Sequence, residues 1–236
     1  MNSPRFPNPV FVALDTPELS KALKIAQAVA PHVGGLKIGL EFITANGPEG
    51  VKKLVALGRT VFVDVKFHDI PNTVAGAARE IAKLGAGIFN IHAAGGEAMM
   101  RAAKEAAASI DPDVKIIAVT VLTSLNDNDL AAVGQQMPAT AQVERLAKLA
   151  KHAGLDGVVC SPREIALVRE ACGADFLIVT PGVRPAGSDI ADQKRVMTPQ
   201  EAVKAGADIL VIGRPITGAP DPASAAAAIA ESLHRA

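Results

Sequence analysis

The sequence contains no tryptophan and no tyrosine, and its seven phenylalanines are its whole aromatic content. Single-strand nucleic-acid binders stack bases on such rings, so that platform is largely missing. Neither sign of charge is in excess: 24 Lys and Arg stand against 24 Asp and Glu, a formal net charge of +0. A basic nucleic-acid groove or a polybasic membrane patch is therefore not expected. Cysteine is scarce. Cys160 and Cys172 cannot build a disulfide framework or a four-ligand metal site, and they fit a reducing compartment. No charge-free apolar run reaches the roughly 18 residues of a transmembrane helix. Met1 to Pro9, with three prolines and no apolar stretch, does not read as a secretory signal. The expected location is the cytoplasm.

What is present is apolar and periodic. Of 236 residues, 49% are hydrophobic, enough to bury a sizeable core and to exclude intrinsic disorder. Strand-like runs recur at Val10–Asp15, Gly35–Leu40, Thr60–Phe67, Gly87–Ala93, Lys115–Leu122, Gly157–Ser161, Asp175–Val183 and Asp208–Arg214. Apolar residues at three- and four-residue spacing predict helices over Leu19–Val29, Val74–Leu84, Ala98–Ala108, Val143–Ala150 and Ala202–Ala205. The Ala-rich segment Pro222–His234 favours one more. Glycines at Gly85, Gly154 and Gly206 stop helices just before the next strand. Eight strands alternating with helices predict a single closed (β/α)8 barrel domain. The doubly wound alternative wants a Gly-x-Gly-x-x-Gly turn after the first strand, where Leu14-Asp15-Thr16-Pro17 stands instead. Two long polar connections, Thr123–Ala139 and Arg184–Thr198, fall on the C-terminal face and are candidate lids.

Strand residues alternate faces, and that alternation puts charge in an unexpected place. In Val61-Phe62-Val63-Asp64-Val65-Lys66-Phe67 the valines and Phe67 form an apolar face, so Asp64 and Lys66 point inward with Phe62. Lys37 points inward from the second strand, between Gly35 and Gly39, and Asp15 closes the first. An isolated inward Asp–Lys pair reads as an ion pair that fixes barrel closure. With Asp69 three residues beyond Lys66, four alternating charges gather at one rim, and desolvating them for stability alone is expensive. A catalytic array is the better reading.

The seventh and eighth strands end in Thr180-Pro181-Gly182-Val183-Arg184 and Ile212-Gly213-Arg214-Pro215. Loops at these positions hold phosphate in many barrels, through backbone N–H groups and arginine. His68 and His92 read as structural or supporting residues, since no His or Glu spacing suits a metal. Cys160 reads as a small buried hydrophobe.

The run Asp64-Val65-Lys66-Phe67-His68-Asp69-Ile70-Pro71-Asn72-Thr73 resembles the signature of the orotidine 5′-phosphate decarboxylase family. The resemblance extends over essentially the whole chain, through Ala13-Leu14-Asp15, Leu36-Lys37-Ile38-Gly39, Leu122-Thr123-Ser124 and the two Gly/Arg strand ends. It implies decarboxylation of orotidine 5′-phosphate to UMP with no metal and no organic cofactor, in a homodimer. It implies that Lys66 donates a proton to C6, that Asp64 lies against the substrate carboxylate, and that Lys37 and Asp69 complete the array. Asp69 and Thr73 would come from the partner subunit, Thr73 to the ribose. Asp15 and Lys37 would reach ribose hydroxyls, and Thr123 and Ser124 the pyrimidine edge. Pro181, Arg184, Gln193, Gly213 and Arg214 match the family's substrate-binding positions, mostly at the phosphate.

Three other readings remain open on the residues alone. One is a Mg2+-dependent sugar-phosphate decarboxylase or synthase on the same barrel. Another uses Lys66 or Lys37 as a Schiff base. The last is a non-catalytic barrel that binds a nucleotide monophosphate, for which a complete charged array is superfluous.

Overall fold

The computed structural model describes residues 6–135, 138–185 and 197–234. Eight strands run parallel in chain order: β1 (Val10–Ala13), β2 (Gly35–Ile38), β3 (Thr60–Phe67), β4 (Ile88–His92), β5 (Lys115–Val119), β6 (Gly157–Val159), β7 (Leu177–Pro181) and β8 (Ile209–Ile212). Each pairs with the next, and β8 returns to β1 through Val10↔Leu210, Phe11↔Val211 and Val12↔Ile212, closing the barrel. The helices between them are α1 (Leu19–Val29), α2 (Leu40–Val55), α3 (Pro71–Lys83), α4 (Glu97–Ala108), α5 (Asp127–Ala132), α6 (Ala139–His152), α7 (Ile165–Cys172), α8 (Pro199–Ala205), α9 (Arg214–Thr217) and α10 (Pro222–His234). Among the described residues, no helix is long and apolar enough to cross a membrane.

Alternation along the strands sorts the core into two shells. Outward residues such as Val10, Val12, Leu36, Ile38, Val61 and Val63 meet the apolar faces of the helices in one large cluster. Inward residues Phe11, Phe62, Ile88, Ile117, Val179 and Ile209 fill the barrel's lower interior. The largest of them needs a gap opposite. A methyl group placed on Gly35 would lie 2.3 Å from the Phe11 ring, so glycine on β2 is what lets Phe11 occupy the barrel axis. Apolar filling below leaves the C-terminal mouth open to polar groups.

The strands are shorter than their apolar runs predict, chiefly at their carboxyl ends. β1 stops at Ala13 rather than Asp15, and β8 at Ile212 rather than Arg214, because the chain there leaves the ladder to form the rim. Helices α2, α5, α7 and α9 have no counterpart among the predicted segments. Asn46-Gly47-Pro48 interrupts the periodicity of α2, and Gly47 takes non-helical angles (φ 59, ψ −162) where the helix kinks. Helices α5 and α9 span six and four residues, too short for a three- and four-residue pattern to stand out.

The polar connection after β5 is explained by capping. Asn126 accepts from the backbone N–H groups of Asn128 and Asp129, and the Asp129 carboxylate accepts from Asn126 N–H, which starts α5. Asp127 Oδ1 then accepts from Ala139 N–H at 2.8 Å and ties α5 to the start of α6. Thr198 and Glu201 form the same reciprocal cap at α8, and Gly206 ends that helix in the left-handed region (φ 110).

Gly35→Ala is expected to destabilise the fold by about 1–3 kcal/mol, the usual cost of forcing an extra methyl into a packed interior. Urea unfolding measures it; an unchanged midpoint would show that Phe11 can move aside freely.

Candidate active site

The site is built around an irregularity in β3. Its pairing with β2 is regular, from Gly35↔Thr60 to Ile38↔Val63. Its pairing with β4 slips: Val63 faces Phe89, yet Phe67 faces Ile91, so four steps along β3 match two along β4. The surplus residues arch over Asn90, and Lys66 takes a positive φ of 51, the one non-glycine residue to do so among those described. Such a bulge re-aims a side chain at the price of ladder hydrogen bonds. The lost backbone partner is replaced by a side chain, since Lys66 N–H donates to Asn90 Oδ1 at 2.8 Å. Asn90 is fully buried.

Four charges alternate along one string: Asp15 just after β1, Lys37 in β2, and Asp64 and Lys66 in β3. Lys66 Nζ donates to Asp64 Oδ1 at 2.6 Å, and Lys37 Nζ reaches Asp64 Oδ2 at 3.4 Å and Asp15 Oδ1 at 3.0 Å. Asn90 Nδ2 donates to the same Asp64 Oδ1 at 2.7 Å. Exposure rises outward, from 8% for the Lys37 side chain and 14% for Asp64 to 31% for Lys66 and 58% for Asp15. Glycine 39 keeps room for this string, because a methyl there would sit 3.1 Å from Lys37 Nζ.

Burial pushes the Asp64 carboxyl toward the neutral acid. The Lys37 and Lys66 charges, with hydrogen bonds from Lys66 and Asn90, outweigh it and hold the group below the ordinary carboxylate value. Beside the array, His92 packs against His68 with ring centroids 5.3 Å apart and planes tilted by 30°. Burial, then His68 and Lys66, depress the His92 imidazole against the opposing pull of Asp64, favouring its neutral form. Cys160 is fully buried and its thiol is pushed well up, first by desolvation and then by Glu164, so it is inert.

The array opens into a cavity of about 320 Å³ at the mouth of the barrel. Asp15, Lys37, Asp64 and Lys66 form one wall; Thr123, Pro181, Arg184, Gly213 and Arg214 line the others, over an apolar floor that includes Phe62 and Val179. A larger cavity of about 970 Å³ lies at the opposite end, bounded by the first residues of β3, β5 and β7, and holds none of these groups. The barrel's chemistry belongs to the smaller cavity, at the C-terminal ends of the strands. Among the described residues, no group of three or more His, Cys, Asp or Glu is arranged to hold a metal ion.

Not every expected residue reaches this cavity within one chain. Asp69, Thr73 and Ser124 are exposed and do not line it. Gln193 lies outside the described residues. Asn90 was not among the expected site residues, although its signal was the one that marked Asp64. It is a polar residue on the inward parity of Ile88, in a strand otherwise apolar until His92.

The backbone of Lys66 provides a test independent of chemistry. A left-handed residue with a Cβ costs roughly 1–2 kcal/mol more than glycine. Lys66→Gly should therefore resist urea better than Lys66→Ala by about 1 kcal/mol, an unusual order for a strand. The reverse order would mean that the bulge does not hold φ 51 in solution.

A family model described as Orotidine 5'-phosphate decarboxylase / HUMPS family matches residues 8–229. The orotidine 5'-phosphate decarboxylase of Moorella thermoacetica is 57% identical over 230 residues, 95% of this chain and 91% of that protein. That of Rhodospirillum rubrum is 56% identical over 233 residues, 96% of this chain and 94% of the other. The crystal structure of orotidine 5'-phosphate decarboxylase from Lactobacillus acidophilus superposes with a TM-score of 0.86 at 41% identity, covering 96% of this chain and 99% of that one. With the barrel, the charged string and these matches in agreement, the chain belongs to the orotidine 5'-phosphate decarboxylase / HUMPS family.

Proposed function

We propose that this protein decarboxylates orotidine 5′-phosphate to UMP and CO2, with Lys66 as the proton donor. The observation that carries the reading is the Asp15–Lys37–Asp64–Lys66 string facing Arg184, Gly213 and Arg214 across one cavity. In the reaction the C6–carboxylate bond breaks, CO2 leaves, and the electron pair stays on C6. It occupies an in-plane orbital that the ring delocalises poorly. The Lys66 ammonium stabilises that charge and then delivers its proton to C6. Asp64, with Asp69 of the neighbouring subunit in this reading, holds the ammonium in place, so little reorganisation accompanies the step. Asp64 beside the substrate carboxylate also repels it, and that repulsion vanishes as CO2 departs.

The phosphate belongs at the far wall. Arg184 and Arg214 supply charge-assisted hydrogen bonds, and Gly213 allows close approach of the backbone. Gln193 joins them in this reading, as do Thr123 and Ser124 at the pyrimidine edge and Asp15 and Lys37 at the ribose. Binding energy from this non-reacting end is spent on assembling the charged site.

Asp69 and Thr73 act in the neighbouring site of a homodimer. Their exposure, next to an Ile70 that is 67% exposed, supports this, since a second copy would cover that apolar group. Two buried free cysteines agree with the cytoplasm as location.

Ultraviolet absorbance on mixing the protein with orotidine 5′-phosphate in excess EDTA tests the reaction. The lack of Trp and Tyr keeps the protein's own signal low. Conversion to UMP under chelation is expected; activity that chelation abolishes would favour a metal-dependent sugar-phosphate enzyme instead. Lys66→Ala should lower kcat by about 10⁴-fold or more, the combined size of general-acid and charge-stabilising effects. Binding of UMP should persist in that variant, and normal turnover would remove Lys66 as donor. Arg214→Ala should lower kcat/KM by about 10- to 100-fold, as expected from losing a charge-assisted hydrogen bond of ~1.5–3 kcal/mol; an unchanged value would take Arg214 out of the phosphate site.

A further inference from the structure

We propose that Asn90 is a positioning residue for the reaction, a neutral clamp that holds Lys66 at both its backbone and its ammonium end. The inference rests on the reading of Lys66 as proton donor and adds a residue that acts through it.

Three observations converge on one carboxamide. The slip between β3 and β4 removes the regular ladder opposite residues 64–66, so Lys66 N–H needs another acceptor, and Asn90 Oδ1 supplies it at 2.8 Å. The φ of 51 at Lys66 persists only if its surroundings determine it, and this hydrogen bond is made at the strained residue itself. On its other arm, Asn90 Nδ2 donates at 2.7 Å to Asp64 Oδ1, the same oxygen that Lys66 Nζ donates to at 2.6 Å. A closed ring results: Lys66 N–H to Asn90, Asn90 to Asp64, and Lys66 ammonium to Asp64. The lysine can then neither swing at its root nor leave its counter-ion without breaking a hydrogen bond of this ring.

An amide is the group this ring requires. It needs an acceptor and a donor on one short, rigid fork, both present at every pH, and asparagine alone among residues of that length provides them. A carboxylate would keep the acceptor and turn the donor arm into a charge facing Asp64. The charged and titratable groups around the fork are Asp64 and Lys66 from β3, Lys37 from β2 beyond Asp64, and His92 with its neighbour His68. On β5 the residue opposite Asn90 is the apolar Ile117.

The deciding experiment compares the wild type, Asn90→Asp and Asn90→Ala with orotidine 5′-phosphate across pH. Asn90→Asp should lower kcat by about 100-fold near neutral pH, the cost of displacing a catalytic group by an ångström or so, with KM nearly unchanged. As pH falls, the variant's kcat relative to wild type should recover. Crowding against Asp64 raises the new carboxyl's pKa, and its protonated form donates to Asp64 Oδ1 again. Asn90→Ala should lose kcat without any such recovery. Wild-type kcat in both variants, or a ratio that is flat with pH in Asn90→Asp, would overturn the inference. If neither variant folds, amide hydrogen exchange at Lys66 in the wild-type protein decides. Strong protection at this gap in the ladder supports the clamp, and exchange as fast as at the open rim overturns it. Wild-type turnover separates the two levels: its absence removes the decarboxylase reading, whereas its presence with active Asn90 variants removes only the clamp.

Discussion

Asp64 keeps its negative charge although burial favours the neutral acid, and the architecture of the mouth follows from meeting that demand. Desolvation disfavours the anion, and two ammonium groups with one carboxamide more than compensate. Those partners have to arrive from different strands, because one strand presents too few inward positions at a single height. Lys37 comes from β2, Asn90 from β4, and Lys66 from β3 itself, with Asp15 after β1 closing the string on the solvent side. The neighbouring order of strands in a parallel barrel makes that convergence available.

The lower barrel serves the same end. Phe11, Phe62 and Ile88 fill the interior with close-packed apolar groups, so the charged layer rests on a floor of low dielectric. Electrostatic interactions above that floor are stronger than they would be in a water-filled pore. Gly35 in β2 and Gly39 just beyond its end play complementary parts. The first makes space for an aromatic ring beneath the array, and the second makes space for the Lys37 ammonium within it.

Much of this was legible in the sequence because barrel strands obey a period of two. Alternation in Thr60–Phe67 is enough to set Asp64 inward, and the same rule applied to Gly35–Leu40 sets Lys37 beside it. Helix α2 was not legible because it is broken at Gly47, and α5 and α9 run for only six and four residues. The bulge was hidden for a deeper reason. A register slip between two strands is a property of the pair, and nothing in Val63–Phe67 alone announces that four residues will oppose two. Asn90 was overlooked with it, since a single polar residue in an apolar strand acquires meaning only once the backbone across from it is known to lack a partner. Exposure of Asp69 and Thr73 is likewise a fact about the whole surface.

The bulge also bears on how portable the Asp-x-Lys motif is. In a regular strand, residues two apart point the same way at heights about 6–7 Å apart along the sheet. The arch in β3 instead turns the lysine back onto the aspartate's own oxygen. Transplanting Asp-Val-Lys into an unbulged strand of another barrel would reproduce the letters and lose the geometry. The transferable unit is larger: the surplus residues of one strand together with the asparagine of the next, a module of two strands whose irregularity is inherited as a whole.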